Sequence, residues 1–351
     1  MSARPVAVTL AVLALALCIG GLWVAREFRR DMTEAYQRIQ GRSQRVASPF
    51  GDIEFLRGGG SWSAPAGPPV LVIHGSGGGF DQGELLAQAA LGKDTPLGWI
   101  APSRFGYLGS GFAGHPWPPG DSGSHAGEQP GTPVPGAGFD EQAHAYAFLL
   151  DRLGITRVAV VALSHGGPSA LLFAALHPTR VSSLTLISAG VASSSAAGQA
   201  GADDKGSALT FVFQQDFRYW ALTQLARGWF LGLMGADAAL VAGLSAVQRQ
   251  QVDALITGMN PVSPRAAGVR FDNQAAMPNE RIAVIRAPTL VLHARDDGLQ
   301  LFHNAEFAAR HIPGARLVAF DRGGHLLLAV AQAEVQQQVL AHVLQHAGPA
   351  P

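Results

Sequence analysis

The chain has 351 residues, 48% of them hydrophobic and only 14% charged, which is enough apolar material for a large core. Its 25 basic and 25 acidic residues cancel, so net charge offers nothing to nucleic acid or to an acidic partner. With one cysteine, Cys18, and no H-E-x-x-H spacing among twelve histidines, disulfides, a thiol nucleophile outside the N-terminal run and a metal site are not expected.

Residues 6–25 form an uncharged, largely apolar run of twenty, long enough to span a bilayer as a helix. Arg4 precedes it, and Arg26, Arg29 and Arg30 come after it. The competing reading is a cleavable signal peptide. Ala14-Leu15-Ala16 supplies an A-x-A site, but cleavage there leaves a short apolar region and cuts through the run. Lipid attachment at Cys18 calls for a small residue before it, and Leu17 stands there. The expectation is an uncleaved anchor, with the lipid bilayer as a partner through residues 6–25. The arginine count favours a cytoplasmic location for the rest of the chain. A first apolar helix behind a short tail tends instead to send the rest outward, and the outward side is the one expected here.

Residues 26–50 are polar and Arg-rich and are predicted as a helical stalk or linker. A short strand is predicted near residues 52–56, and a buried one at 70–73 inside "PPVLVIHGSGGG", running into a glycine-rich loop. "DQGELLAQAALG" reads as a helix, and residues 99–101 as another apolar strand. From 106 to 138 the text is rich in Gly, Pro and Ser without periodicity, the mark of a long loop, lid-like or mobile. Residues 140–153 have helical spacing at Ala143, Ala147 and Leu150, with Gly154 as a stop. "RVAVVAL" is a buried strand, 168–176 a helix, and "RVSSLTLIS" a strand again.

Short continuous apolar strands alternating with helices imply a mostly parallel sheet covered on both faces. The alternation breaks at 191–283, where no buried strand is legible and aromatics gather, among them Phe211, Phe213, Phe217, Tyr219, Trp220, Trp229 and Phe230. It resumes with "APTLVLHARDD", a helix at 302–312, "ARLVAF", and a last helix carrying Val335, Val339, Leu340 and Val343 on one face. The predicted organisation is an anchor at 1–25, a stalk at 26–50, an α/β core at 51–190 and 284–346, and a helical insertion at 191–283.

The stretch "VAVVALSHGGPS" ends a buried strand in Ser164. Ligands of a parallel sheet bind beyond the carboxyl ends of its strands, and a serine on a tight strand-to-helix turn exposes its hydroxyl there. The G-x-S-x-G pattern is met with Ala162 in place of its first glycine. The competing reading of Ser164 taken alone is a cap of the next helix. A serine nucleophile needs a base, itself oriented by a third group. "HARDDG" supplies Asp296 and Asp297 after one strand, and "DRGGHLLL" supplies His325 after the next. The glycine-rich "HGSGGG" lacks the G-K-[ST] that ends a phosphate-binding P-loop.

These three motifs resemble those of the α/β-hydrolase fold family, in its serine-nucleophile, cap-bearing branch. The resemblance spans roughly residues 51–345 and is weak across 107–138 and 191–283. It implies Ser164 as nucleophile and His325 as base. The acid of the family falls three residues after a glycine ending its strand. Ala294 holds that glycine's place, which selects Asp297 and leaves Asp296 to cap a turn. The resemblance further implies an oxyanion hole built from the backbone N–H groups of Ser76 and His165. Asp321 and His311 match only in residue type.

The function so implied is a serine hydrolase cleaving an acyl bond, a carboxylic ester first, through an acyl-enzyme and without a cofactor. Amidases, thioesterases, carbon–carbon bond hydrolases and cofactor-free haloperoxidases share the pattern. A receptor that keeps the pocket without turnover is the non-enzymatic alternative. Aspartate-nucleophile dehalogenases and epoxide hydrolases are disfavoured by Ser164. An aromatic-rich insertion beside the site implies a small apolar acyl substrate, with Phe217 and Trp220 as its candidate contacts.

Overall fold

The computed structural model describes residues 4–62, 67–112, 138–194 and 198–347. The chain divides into two units, Met1–Gly41 and Arg42–Pro351. In the first unit, α1 (Arg4–Ile39) is one uninterrupted helix of 36 residues. It is long and apolar enough to cross a membrane. At 1.5 Å per residue, the twenty apolar residues alone span about 30 Å. The polar residues after Ala25 continue the same helix to Ile39, so the expected stalk is not a separate element. It also ends sooner than expected. β1 (Gln44–Val46) already pairs with the main sheet, which therefore begins ahead of residue 51.

In the second unit the chain lays down β2 (Ile53–Gly59), β3 (Val70–Ile73), α2 (Phe80–Leu91) and β4 (Gly98–Pro102), then α3 (Phe139–Arg152) and β5 (Val158–Leu163). α4 (Gly167–Leu176) and β6 (Val181–Ile187) come next. The interval before the next strand holds α5 (Gln199–Val212), α6 (Asp216–Leu225), α7 (Arg227–Leu233), α8 (Ala238–Gly243), α9 (Ala246–Gly258) and α10 (Ala266–Gln274). The α/β alternation closes with β7 (Thr289–Ala294), α11 (His303–His311), β8 (Arg316–Phe320), α12 (Leu327–Val330) and α13 (Gln332–Gln345). Most of the long Gly/Pro/Ser-rich loop expected between 106 and 138 lies outside the described residues.

The described strands form one eight-stranded sheet in the order β1-β2-β4-β3-β5-β6-β7-β8, antiparallel at β1–β2 and β2–β4 and parallel elsewhere. The strands read as continuous apolar runs because both faces are covered. Val158, Val160 and Ala162 of β5 join the cluster beneath α3 and α4, while Ala159 and Val161 join the one beneath α2 and α13, as the two-residue period of a strand requires. On α13, Val335, Val339 and Val343 are buried while Leu340 is half-buried.

Register decides where the loops meet. Ile73 pairs with Ala162, Leu163 with Ile187, and Ala294 with Phe320. The segments leaving β3, β5, β7 and β8 therefore emerge along one edge, at the carboxyl ends of parallel strands.

Candidate active site

The chain leaves β5 through a single tight turn, Ser164–Gly166, and enters α4 at once. Ser164 has φ 53°, a left-handed conformation that costs a non-glycine residue about 1–3 kcal/mol and persists only where the surroundings fix it. They do so here. The Ser164 carbonyl accepts the Gly190 N–H at 3.1 Å. A Cβ on Gly166 would stand 2.7 Å from the carbonyl oxygens of both Ile73 and His74, so only glycine lets the turn sit this close to β3.

His325 lies beyond β8 in a glycine turn. Its Nε2 lies 2.9 Å from Ser164 Oγ, and its Nδ1 lies 2.9 Å from Asp297 Oδ2. Asp297 is buried at the end of β7, and its Oδ1 accepts the N–H groups of Leu299 and Gln300, each at 2.9 Å. Burial alone pushes the Asp297 carboxyl up. The adjacent His325, by charge and hydrogen bond, then His293 and the Leu299 N–H, outweigh burial and bring it below the ordinary carboxylate range. The neighbouring Asp296 turns the other way and accepts the Gly324 N–H at 2.7 Å. Of the two aspartates, then, Asp297 meets the imidazole and Asp296 ties down the loop that carries it.

The loop leaving β3 lies directly against the serine: a Cβ on Gly75 would come within 3.0 Å of Ser164 Cβ. Ser76 and His165 both line the cavity beside Ser164. His74 holds the loop from below. Its Nε2 accepts the Arg104 N–H at 2.9 Å, so the proton sits on Nδ1, which donates to the Gly75 carbonyl at 2.7 Å. Burial, reinforced by the Arg104 charge, holds His74 well below the usual imidazole range and keeps it neutral. The His165 imidazole, accepting from Gln300 Nε2 at 3.3 Å, is likewise lowered by burial.

Two buried ion pairs brace this loop, and neither was legible in the sequence. Arg265 donates to Asp81 through two nitrogens at 2.9 and 2.8 Å and to the Gly78 carbonyl at 2.6 Å. Arg104 donates to both oxygens of Asp272 at 2.6 Å. Tyr107, which donates to Asp272, stands 3.2 Å from Ser76 Oγ. The partners are separated by 184 and 168 positions, and no local pattern links residues so far apart.

Above Ser164 opens a cavity of about 390 Å³. Leu209 and Phe213 at α5 and Val269 of α10 roof it. Phe217 and Trp220 do not line it, which corrects the expectation placed on them. Phe217 is half exposed and stacks on Trp220, which is buried. Buried aromatics of the insertion, Phe213, Tyr219 and Phe230, pack mainly into a third apolar cluster of their own. An aromatic at a helical spacing points inward either way, and only packing decides between a cavity and a core. Among the described residues no group of three His, Cys, Asp or Glu side chains is placed to hold a metal ion.

The fold has known counterparts. A sequence model of the alpha/beta hydrolase fold family matches residues 68–331, and the chain belongs to that family. It is similar to the uncharacterized hydrolase YcgS of Bacillus subtilis (strain 168), 28% identical over 271 residues, covering 74% of this chain and 86% of that protein. Among solved structures it resembles an alpha/beta hydrolase fold protein from Nakamurella multipartita, with 25% identity and a TM-score of 0.65 over 87% of this chain and all of that one. A thermophilic esterase from Thermogutta terrifontis superposes with 19% identity and a TM-score of 0.60, covering 87% and 99% of the two chains; at that identity the likeness is one of fold.

Proposed function

We propose that the protein is a serine hydrolase that cleaves a carboxylic ester through an acyl-enzyme, held at a membrane by α1. The observation that carries this reading is the continuous chain Ser164–His325–Asp297, each link 2.9 Å long, at the floor of an apolar cavity. The fold's likeness to an esterase adds to it.

Asp297, ionised at neutral pH, accepts the Nδ1 proton of His325 and so fixes the tautomer that leaves Nε2 free as a base. Ser164 Oγ attacks the ester carbonyl carbon as its proton passes to Nε2. The carbonyl oxygen, now negative, is stabilised by the N–H groups of Ser76 and His165. Collapse expels the alcohol, which takes the proton from His325 and leaves the acyl group on Ser164. Water, deprotonated by the same imidazole, then releases the acid. The strained turn at Ser164 keeps Oγ in place before substrate arrives, so little reorganisation remains for the reaction itself.

The insertion carrying α5 to α10 serves as the cap, with the remainder of residues 42–346 as the catalytic core. A fluorophosphonate probe tests the mechanism directly. Wild-type protein is expected to be labelled and to turn over p-nitrophenyl acetate; Ser164→Ala should lose labelling and about four to six orders of magnitude in kcat. Turnover at the wild-type rate in a clean Ser164→Ala preparation refutes the proposal.

A further inference from the structure

The cavity does not stop at Ser164. Its lining continues along α2 and the loop before it through Gly78, Gln82, Leu85, Leu86, Ala89 and Lys93. Within α2, Gln82, Leu85, Leu86 and Ala89 recur at intervals of three and four, the spacing of one helix face. α2 itself, from Phe80 to Leu91, extends about 17 Å at 1.5 Å per residue, with Gly78 and Lys93 just beyond its two ends. The other walls of the run come from Ala254 and Leu255 of α9 and from Leu328 and Ala329 at α12, three helices that pack against one another in pairs.

The order of residues along this run gives it a direction. Gln82, one turn from the loop beside Ser164, is polar. Beyond it the α2 face offers Leu85, Leu86 and Ala89, with Gln88 beside the last of them, and the facing walls, Ala254, Leu255, Leu328 and Ala329, are aliphatic. Polar groups return at the far end, where Gln88, Lys93, Gln251 and Gln332 form a rim, with Gln251 donating to Gln332. A passage that is polar at the serine, apolar along its length and polar again at its mouth fits a flexible unbranched chain. Among the described residues no acidic side chain lines the cavity, so a cationic substituent has no counter-charge there.

We infer that this run binds one long alkyl chain of the ester, on the order of a dozen carbons from the scissile carbonyl to the rim. The substrate class is a long-chain ester rather than a small one. The inference rests on the ester reading and deepens it. The same alkyl chemistry can belong to the acyl half or to the alcohol half, and the two are separated by experiment.

The test measures kcat/KM of the full chain in detergent on p-nitrophenyl esters from acetate to hexadecanoate, and on n-alkyl acetates of matched length. A buried methylene contributes up to about fourfold, so kcat/KM should rise by roughly a hundredfold or more toward ten to twelve carbons in one of the two series. A rise in the first series assigns the run to the acyl half; a rise in the second assigns it to the alcohol half. Ala89→Trp and Ala254→Trp, which fill the run, should shorten the optimum and lower the dodecanoate-to-acetate ratio at least about tenfold. Labelling rates of the unmodified protein with ethyl and dodecyl fluorophosphonates supply a measure that depends on no variant, and the dodecyl probe should react faster. Acetate turnover and Ser164 labelling with a flat length profile in both series, or tryptophan variants that fold and keep the wild-type ratio, overturn this inference alone. Absence of both ester turnover and Ser164 labelling overturns the ester reading and this inference with it.

Discussion

Asp296 and Asp297 are consecutive carboxylates at the end of β7, and the backbone turns them to different partners. Asp297 faces His325 Nδ1 and two N–H groups, whereas Asp296 receives the Gly324 N–H and, at 3.7 Å, the Arg322 side chain. Asp297→Asn is expected to lose about 10⁴ in kcat, since the amide no longer selects the productive imidazole tautomer. Asp296→Asn should lose far less and cost about 1.5–3 kcal/mol of stability through the weakened bond to the loop. Steady-state kinetics on the two purified variants decide the matter, and a reversed order makes Asp296 the acid. Arg265 illustrates a different residue-scale effect. It is fully buried, and three of its nitrogens are satisfied by Asp81, Gly78 and Pro261. Arg265→Met strands the buried Asp81 carboxylate and should cost about 3–5 kcal/mol in urea unfolding. Adding Asp81→Leu should recover most of that loss, because the penalty lies in the unpaired charge. A double variant no more stable than the single one would show that the pair itself, rather than the orphan, carried the energy.

At the scale of elements, the turn between β5 and α4 has no room for added atoms. Gly166→Ala sets a methyl against two backbone oxygens at 2.7 Å, and neither oxygen can swing away as a side chain would. The turn must move, and Ser164 Oγ with it. A displacement of about 1 Å costs on the order of 10²-fold in rate, so kcat should fall by that amount. Ala162 behaves differently, although it occupies the first glycine of the same motif. It lies within β5, paired with Ile73 and Leu186, ahead of the left-handed residue. Ala162→Gly should leave kcat near wild type and lower stability by roughly 0.5–1 kcal/mol, through the entropy glycine loses in a strand. Equal kinetic damage from both substitutions would contradict this division of the turn.

For the molecule as a whole, the placement of charges and apolar surfaces governs two properties. Burial lowers His74, His165 and His293, and burial also pushes His342 down to about 4. In the unfolded chain these imidazoles take up protons near pH 6.5, while the folded protein keeps them neutral. Their contribution is therefore complete above about pH 6.5 and is lost as pH falls through the window from there toward 4. The melting temperature should drop by on the order of 10 °C between pH 7 and pH 5, and His342→Gln should make the slope shallower. A flat profile in calorimetry over that range would contradict it. The second property concerns α1. The full chain should pellet with membranes and resist carbonate extraction, while a chain beginning at Arg42, just ahead of β1, should be soluble and turn over the same esters. Protease added to intact cells should digest the domain if it faces outward; protection until lysis reverses the orientation.

How much of this was legible beforehand varies with the range of the interactions. The strands announced themselves as short apolar runs because a doubly covered parallel sheet demands them, and Ser164 and His325 were legible because each occupies a strand-end position with its own local glycine signature. The apolar length of α1 was likewise a local property, though its continuation as helix to Ile39 and the early start of the sheet at β1 were not. The choice of Asp297 over Asp296 needed a motif alignment, since adjacent identical side chains differ only in the direction the backbone gives them. What the sequence by itself determined is whatever depends on neighbours along the chain: periodicity, turn chemistry and strand-end motifs. Tertiary structure alone decided which apolar side chains face a cavity and which face a core. That is why Phe217 and Trp220 are not among the residues lining the cavity, while Leu85, Leu255 and Ala329, on three helices from distant parts of the chain, line the run beside Ser164. It alone also paired Arg265 with Asp81 and Arg104 with Asp272. A buried charge is tolerable only opposite its partner, and the fold, not the order of residues, brings the two together.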